Sequence, residues 1–546
     1  MKPSMINALT HTCPQDRYFG RQGEMKMRGF FWPLNTIKYF QMKSSVKNIY
    51  SFLICGLLIL VSSGCSKFLD EKDPSNLTVE SFYTKPADAE SAVNAIYQSV
   101  NGIYSGAYGF GGGLSPWLML EFATGLAETD LGEATPNLLV RSLTNNADNS
   151  EGKLWWDLSY QGIANANLAI SKIPGISMDE NEKKQLLGQA KFLRAFYYYN
   201  LVRIFGNIPL ITSTVSLSSP DMYPKQDSVA NIYSLIVQDL MSADSAGLPY
   251  LDASGRVSQG AVQSLLASVY LTMAGYPLNK GTAYYQKAAD EAEKVIQSGK
   301  YSLFPSYDDL HTPDKKNTGE NIFMAQYAPY ISPSGWQSAI IPYNMGISAY
   351  DSQSGAIFVN QEFADSYEKG DKRAEEKQFF YTKYTLSADR SKTIDLGGTY
   401  IYKLFDVEAQ NTTASSGLNW PIMRYAEVLL IYAEASNEVS GPTPQAYDAI
   451  NKIRERAELP KLSGLSKDQF RKAVWEELWH ELCYEDKTWF NMVRLRKAYN
   501  PVTDNFDNFV GHKFTYGPVL QEKDLLFPIP QYEIDNNKNL VQNAGY

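Results

Sequence analysis

The chain has 546 residues, 44% of them hydrophobic and 20% charged, with a formal net charge of −9. That balance suits a globular protein with a substantial core, and the absence of basic blocks argues against nucleic-acid binding. Four cysteines (Cys13, Cys55, Cys65, Cys483) and four histidines (His11, His311, His480, His512) lie scattered, without the spacing of a zinc site.

The first element in chain order is an export signal. Lys43 and Lys47 form a positive n-region, Ile49 to Val61 an apolar h-region, and Ser62, Ser63 and Gly64 a small-residue exit. The apolar run is shorter than the roughly 20 residues of a spanning helix, and polar residues begin directly after Cys65, which disfavours a membrane anchor helix. Small residues followed by cysteine resemble a bacterial lipobox, in which the cysteine is freed by cleavage and lipidated. Cys65 is therefore expected to be the lipidated first residue of the mature protein. A signal beginning at Met42 makes residues 1–41 an over-called upstream extension, the alternative being a long n-region starting at Met25 or Met27. Residues 42–64 are the signal peptide, and 65–85 a lipidated tether with a turn at Asp73-Pro74-Ser75-Asn76. Of the mature cysteines one carries lipid and Cys483 has no partner, so no disulfide is expected.

From residue 86 the chain is read as one domain ending at 546. Pro86 opens the first helix, PADAESAVNAIYQSV, with Ala89, Val93, Ile96, Tyr97 and Val100 on one face. The glycine-rich stretch NGIYSGAYGFGGGLSPW lacks a phosphate-loop pattern and reads as a pliant loop carrying Tyr104, Tyr108, Phe110 and Trp117. Amphipathic segments follow: WWDLSYQGIANANLAISKI, then KKQLLGQAKFLRAFYYYNLVRIFG, stopped by Gly206 and Pro209. These belong to an N-terminal part spanning 86–215. Within 216–299 and 420–500, paired helices with small residues at their contacts look like tetratricopeptide hairpins of irregular interval. A single long helix is expected near 466–498. Tyr197, Tyr198, Tyr199, Tyr270 and Tyr432 are expected in the packing of these helices.

Between the helical blocks, 300–419 loses helical periodicity and gains aromatic, polar, glycine and proline residues, with short strands such as NIFMAQY and GTYIYKLF. So long an insertion in a helical array is usually functional. An irregular segment, 501–546, closes the chain. The fold expected is all-α: a tetratricopeptide-like hairpin array with long irregular loops and a few short strands.

No nucleophile with a partner base, GxSxG or HExxH is present, so no catalytic residues are assigned. Glu477-Leu-Trp-His480 has the spacing used in di-iron bundles, but no second copy exists and an ion-paired helix face is the simpler reading. No cofactor or metal is assigned. The aromatic loops point instead to binding. A sugar ring offers an apolar CH face on which tryptophan or tyrosine stacks, while Asn, Asp, Gln and Arg satisfy the hydroxyl rim. Tyr330, Trp336, Gln337, Tyr343, Tyr350 and Asp351 form one candidate group; Tyr104, Tyr108 and Trp117 form the second.

An ordered set of motifs from Cys65 to Tyr546 resembles the SusD/RagB family of surface lipoproteins: Cys-Ser-Lys-Phe-Leu with its acidic run; Trp156, Tyr160 and Asn167; AKFLRAFYYYNLVRIFGNIPL; GRVSQGAVQSLLASVYL; IMRYAEVLLIYAEASNEV; INKIRERAELP; EELWHELCYE; and LLFPIPQYEIDNNKNLVQNAGY. Leu478, Asp486 and Thr488 replace residues usual in the family, Asp486 standing for a glycine, and Asn491 stands where an aspartate is common. The resemblance implies a non-enzymatic protein at the outer-membrane surface, anchored through Cys65, with Asp70-Glu71 resembling the export tag. It implies capture of oligosaccharides, or in some branches peptides, for a SusC-like TonB-dependent transporter. A tetratricopeptide scaffold binding protein alone is the competing class. Glu477, Glu481 and Glu485, four residues apart, are read as ion-pair partners on one helical face for Arg424, Arg454, Arg456 or Arg494.

Overall fold

Local signals set the helix ends. The computed structural model describes residues 82–104, 116–129, 136–215, 219 and 222–546. The signal peptide, Cys65, Asp70, Glu71, Tyr108 and Phe110 lie outside those residues. Helix α1 (Pro86–Tyr104) starts where Asp88 accepts hydrogen bonds from the Thr84 and Lys85 N–H groups at 3.0 and 3.1 Å. Helix α2 (Pro116–Phe122) is short and wholly buried. Asn149 caps α3 (Ser150–Lys172), and Asp179 caps α4 (Glu180–Phe205), which ends at Gly206 with φ 74°. Ser228 and Ser258 cap α5 (Val229–Asp244) and α6 (Gln259–Ala274); α7 (Thr282–Gln297) follows.

After the insertion come α8 (Tyr425–Ser440), α9 (Pro444–Arg456), capped by Thr443 with Pro444 in its first turn, and α10 (Lys467–Glu481). A reciprocal pair between Ser466 and Gln469 opens α10. The expected long helix near 466–498 is in fact two. It stops at Leu482 and resumes as α11 (Thr488–Leu495). Tyr484 and Asp486 hold left-handed φ of 60° and 56° between them. The break is imposed from outside: the Tyr484 hydroxyl donates to the Leu126 carbonyl at 2.8 Å, and the Asp486 N–H donates to Glu121 at 2.7 Å. Glu485 therefore does not share a helical face with Glu477 and Glu481.

Consecutive helices pack as hairpins: α3 on α4, α4 on α5, α6 on α7, α8 on α9. Helix α7 also packs on α8, so the two helical blocks join directly and 300–419 is an excursion from a continuous all-α array. Close approach is enforced at Gly162 of α3, where an added Cβ would sit 2.3 Å from the Tyr197 ring of α4. The residues Tyr160 and Asn167 hold the chain leaving α4. Tyr160 donates to the Pro209 carbonyl at 2.8 Å and Asn167 to that of Ile211 at 2.9 Å, while Arg194 locks the Asn167 oxygen at 2.8 Å.

Strands are few. Strand β1 (Asn321–Ala325) pairs antiparallel with β4 (Trp420–Arg424), in register from Asn321 opposite Arg424 to Ala325 opposite Trp420. Strands β2 (Phe380–Thr385) and β3 (Thr393–Ile401) form a hairpin, and β5 (Lys497–Asn500) pairs with β6 (Asn505–Asn508). The β1–β4 pair closes the neck of the excursion. It delivers Trp420 and Arg424, at opposite ends of β4, into the two clusters that support the candidate site.

Candidate functional site

The first cluster is aromatic. Trp420 is fully buried and lies 5.6 Å from Tyr104 in a stack, 4.7 Å from Trp117, and 5.5 Å from Trp336 edge-to-face, measured between ring centroids. Trp155 joins through Tyr104 at 6.3 Å and donates its indole N–H to the Pro116 carbonyl at 2.7 Å. Tyr104 and Trp117 flank the glycine-rich segment, and Trp336 sits in the excursion. The two sequence groups thus meet, but at their buried roots. Trp336 and Trp117 are both 0% exposed and Tyr104 is 4% exposed. None can present a ring face to a sugar, which corrects the platform expected for them. The reason lies in the segment Gly335–Ile340, a 3-10 turn whose six residues are all buried.

Gln337 is corrected likewise. Its amide is a buried clamp, donating to the Leu404 carbonyl at 2.8 Å and accepting from the Asp406 N–H at 3.1 Å and the Gln410 amide at 2.9 Å. Gln410 in turn accepts from the Ser348 hydroxyl at 2.7 Å. Buried amides so fully satisfied rigidify a loop rather than wait for ligand. Tyr350 is 7% exposed and also belongs to the core.

Other members of the group face solvent. Ala328 and Ser332 exchange backbone hydrogen bonds of 2.9 and 3.0 Å, which throws Tyr330 and Ile331 to the tip of a tight turn. Tyr330 is 75% exposed and Ile331 88%. The turn is not loose: Tyr330 holds φ 62°, and its N–H donates to the Ser415 hydroxyl at 2.8 Å. Tyr343 is 53% exposed, and Asp351, further along the same segment, is also exposed. Residues 409–413 form one π-helical turn that ties both segments down: Gln410 accepts from the Ala349 N–H at 2.6 Å, and Ser415 just beyond holds Tyr330. Asn411 receives the Tyr384 hydroxyl at 3.0 Å, and its carbonyl receives Arg390 at 3.0 Å. Rigidly held, exposed aromatic and apolar side chains on irregular loops are what a stacking surface needs.

The second cluster is ionic and lies under the neck. Arg424 bonds Glu320 at 3.0 Å, Glu481 at 3.2 Å and Glu485 at 2.8 Å. Arg456 bonds Glu320 and Glu481 at 2.7 and 2.6 Å, and Arg454 bonds Glu477 at 2.9 Å. Four of the members escaped the sequence reading: Glu320, Asp371, Arg373 and Lys403. Arg373, fully buried, bonds Asp371 at 2.6 Å and Glu477 at 2.8 Å; Lys403 pairs with Glu485. They come from the excursion, where no helical periodicity marks an inward face. Arg494 instead binds Glu434 through both its terminal nitrogens. Burial alone would raise the Glu481 carboxyl, but Arg456, Arg424 and Arg373 outweigh it and hold the group at about 2.

Glu477 is thus committed to arginines, and His480 shares a 3.0 Å hydrogen bond with Ser366. Burial, with Arg373 and Arg454 nearby, lowers the His480 pKa well below its ordinary value. Among the described residues no group of His, Cys, Asp and Glu is arranged to hold a metal. Cys483 is buried, and burial pushes its thiol up to about 11.

Comparison with known proteins gives this architecture its place. Residues 315–546 match the model of the SusD family, and residues 67–271 match a model described as starch-binding, associating with the outer membrane. A SusD-like protein of Formosa agariphila, P2, is 32% identical over 90% of this chain and 98% of its own length. The chain belongs to the SusD family. Among solved structures, a SusD superfamily protein from Parabacteroides distasonis aligns at TM-score 0.81 with 38% identity, covering 86% of this chain and all of that one. A SusD homolog from Bacteroides thetaiotaomicron aligns at TM-score 0.70 with 26% identity, covering 86% and 98%. A laminarin binding SusD-like protein shares the fold at TM-score 0.67 and 24% identity, covering 85% and 100%. Membership makes this SusD-like chain a carbohydrate-binding, outer-membrane-associated protein, not an enzyme.

Proposed function

We propose that the protein captures an oligosaccharide on the outer face of the 300–419 excursion and passes it to a SusC-like TonB-dependent transporter. The observation that carries the reading is the Tyr330-Ile331 tip, two large side chains 75% and 88% exposed yet fixed by a positive φ and a bond to Ser415. Tyr343 adds a second exposed ring, and Asp351 supplies an acceptor for hydroxyl groups. Stacking on such rings costs little ordering entropy because their backbone is already held. Tyr108, outside the described residues, is proposed as a further contact carried by the glycine-rich loop.

Attachment to the membrane is proposed through lipid on Cys65; no helix among the described residues is long and apolar enough to cross one. A glycan array with the mature chain, followed by calorimetry on the best ligand, tests the binding. Affinity for glycans lost in Tyr330→Ala supports it. Binding of peptides but of no glycan would replace oligosaccharide with peptide as the cargo. Co-purification of the lipidated protein with a TonB-dependent barrel, and glycan uptake lost when either is deleted, tests delivery.

A further inference from the structure

Away from the excursion, a cavity of about 320 Å³ opens between the end of α4, the turn after α6, α11 and the last residues of the chain. That volume lies at the lower end of small-molecule sites. Its walls are partly apolar, built by Val229, Phe490, Val493 and Leu526. Four cations also line it, and their partners separate them into two kinds. Arg494 is consumed by Glu434, and Lys523 by Asp524 at 2.9 Å. Arg203 and Arg496 form no ion pair among the described residues.

Arg203 is rigid. Its guanidinium lies 3.6 Å from the Tyr199 ring centroid and 3.5 Å from that of Phe490, with Nε and Nη2 donating to the Tyr199 carbonyl and to Asn200. Arg496 follows α11 at φ 55°, over the Tyr276 ring at 5.1 Å. Its Nη1 is buried without a hydrogen-bond partner. Burial lowers its pKa, and Glu522, exposed on the rim, opposes that only in part. Nη1 is closed to solvent, so what the cavity meets is a guanidinium that lines it without a carboxylate partner among the described residues, and a bound anion supplies that partner through a charge-assisted contact.

We propose that this cavity is a second binding site, taking a small molecule with one carboxylate on a compact body that has an apolar face. The carboxylate sits against Arg496 and Arg203, and the body lies along Phe490 and Leu526. The site stands apart from the Tyr330 surface and does not depend on it. A carboxylate of this kind belongs to a uronic acid or to an amino-acid derivative.

Titration calorimetry on the mature chain separates the cases with four probes: sodium glucuronate, its neutral methyl ester, glucose and N-acetylphenylalanine. The expected result is binding of at least one carboxylate and of neither neutral sugar. Glucuronate alone assigns a uronic acid, and N-acetylphenylalanine alone an amino-acid source. Arg496→Gln weakens the carboxylate by about tenfold or more, Arg496→Lys by less, and Tyr330→Ala not at all. No carboxylate binding to the wild type overturns the proposal. So does an ester that binds as well as the acid, a comparison that needs no variant to fold. Unchanged affinity in an Arg496→Gln protein with a normal melting profile overturns it as well.

Discussion

The Tyr104 ring stacks on the Trp420 indole, 5.6 Å between centroids and 18° between planes. Tyr104 ends α1 at the edge of the glycine-rich segment, and Trp420 sits on β4 at the neck of the excursion. Two loop regions more than 200 residues apart are thereby anchored on one buried aromatic cluster, to which Trp117 and Trp336 also belong. Truncating Trp336 removes its edge-to-face contact with Trp420 and leaves a cavity. Trp336→Ala is expected to cost about 3–5 kcal/mol of stability, read from urea denaturation. Any glycan affinity it loses should track the unfolded or loosened fraction. An unchanged melting profile with lost binding would instead return Trp336 to the contact surface.

The exposed rings should behave in the opposite way. Tyr330→Ala and Tyr343→Ala remove side chains that cover little of the core, so stability should change by less than about 0.5 kcal/mol. Tyr330→Ala should weaken glycan binding by about tenfold, equivalent to about 1.4 kcal/mol, and Tyr343→Ala by less than Tyr330→Ala. Calorimetry beside thermal unfolding separates the two classes. Full affinity in the Tyr330→Ala, Tyr343→Ala double variant would remove both rings from the ligand surface.

The helices were legible because apolar spacing is local, and the structure starts them at equally local caps, Ser228, Ser258, Thr443 and Ser466, which the apolar pattern did not single out. The break between α10 and α11 was not. ELCYEDKTWF contains no glycine or proline, and the contacts that bend it, from Glu121 and Leu126, come from the opposite end of the chain. In the excursion, residue type showed that aromatics cluster but not which way they face. Trp336 precedes Ala339, Ile340 and Ile341, an apolar run that marks a buried turn, whereas Tyr330 sits between Pro329 and Ile331 with no periodicity to place it. Glu477 and Glu481 were legible from their spacing on one helix, Glu485 lies beyond the break that spacing did not show, and Glu320, Arg373 and Lys403 were not legible, since irregular backbone gives no inward face to count.

Arg373 offers the sharpest test of the ionic cluster. It is fully buried and is the shared partner of Asp371 and Glu477. Arg373→Met fills similar space but strands buried carboxylates. Breaking such a pair from one side should cost about 3–5 kcal/mol, because the remaining charge has lost its compensation. Urea denaturation at neutral pH measures it. A loss below about 1 kcal/mol would show that Arg454 and water compensate Glu477 without it. Removing the exposed Arg471 partner Asp468 should change stability by less than about 1 kcal/mol.

Asp486 sits badly for an aspartate. Its φ of 56° is one that glycine adopts freely, and glycine is what the family resemblance places there. Both its carboxylate oxygens are buried without a hydrogen-bond partner, beside the buried Glu121. Burial, opposed in part by the Asp486 N–H, pushes Glu121 up to about 7; burial and Glu121 raise Asp486 well above its ordinary value. A carboxyl whose folded pKa exceeds its unfolded value binds more protons when folded, so its penalty grows as pH rises through that window. For Glu121 the window runs from 4.5 to about 7. Glu481 has the opposite sign. Held at about 2 against an ordinary 4.5, it stabilises above that range and loses the contribution as pH falls toward 2. Stability should therefore peak near about pH 5 and decline on both sides. Asp486→Asn keeps the backbone bond to Glu121, tolerates the left-handed φ and removes the like charge. It should stabilise the protein at pH 8 by about 1–3 kcal/mol and flatten the alkaline side of the profile. Thermal melts of both proteins from about pH 2 to about 9 decide it, spanning both windows. A wild-type profile flat between pH 5 and 8, matched by the variant, would mean that Glu121 and Asp486 are already neutralised by another route.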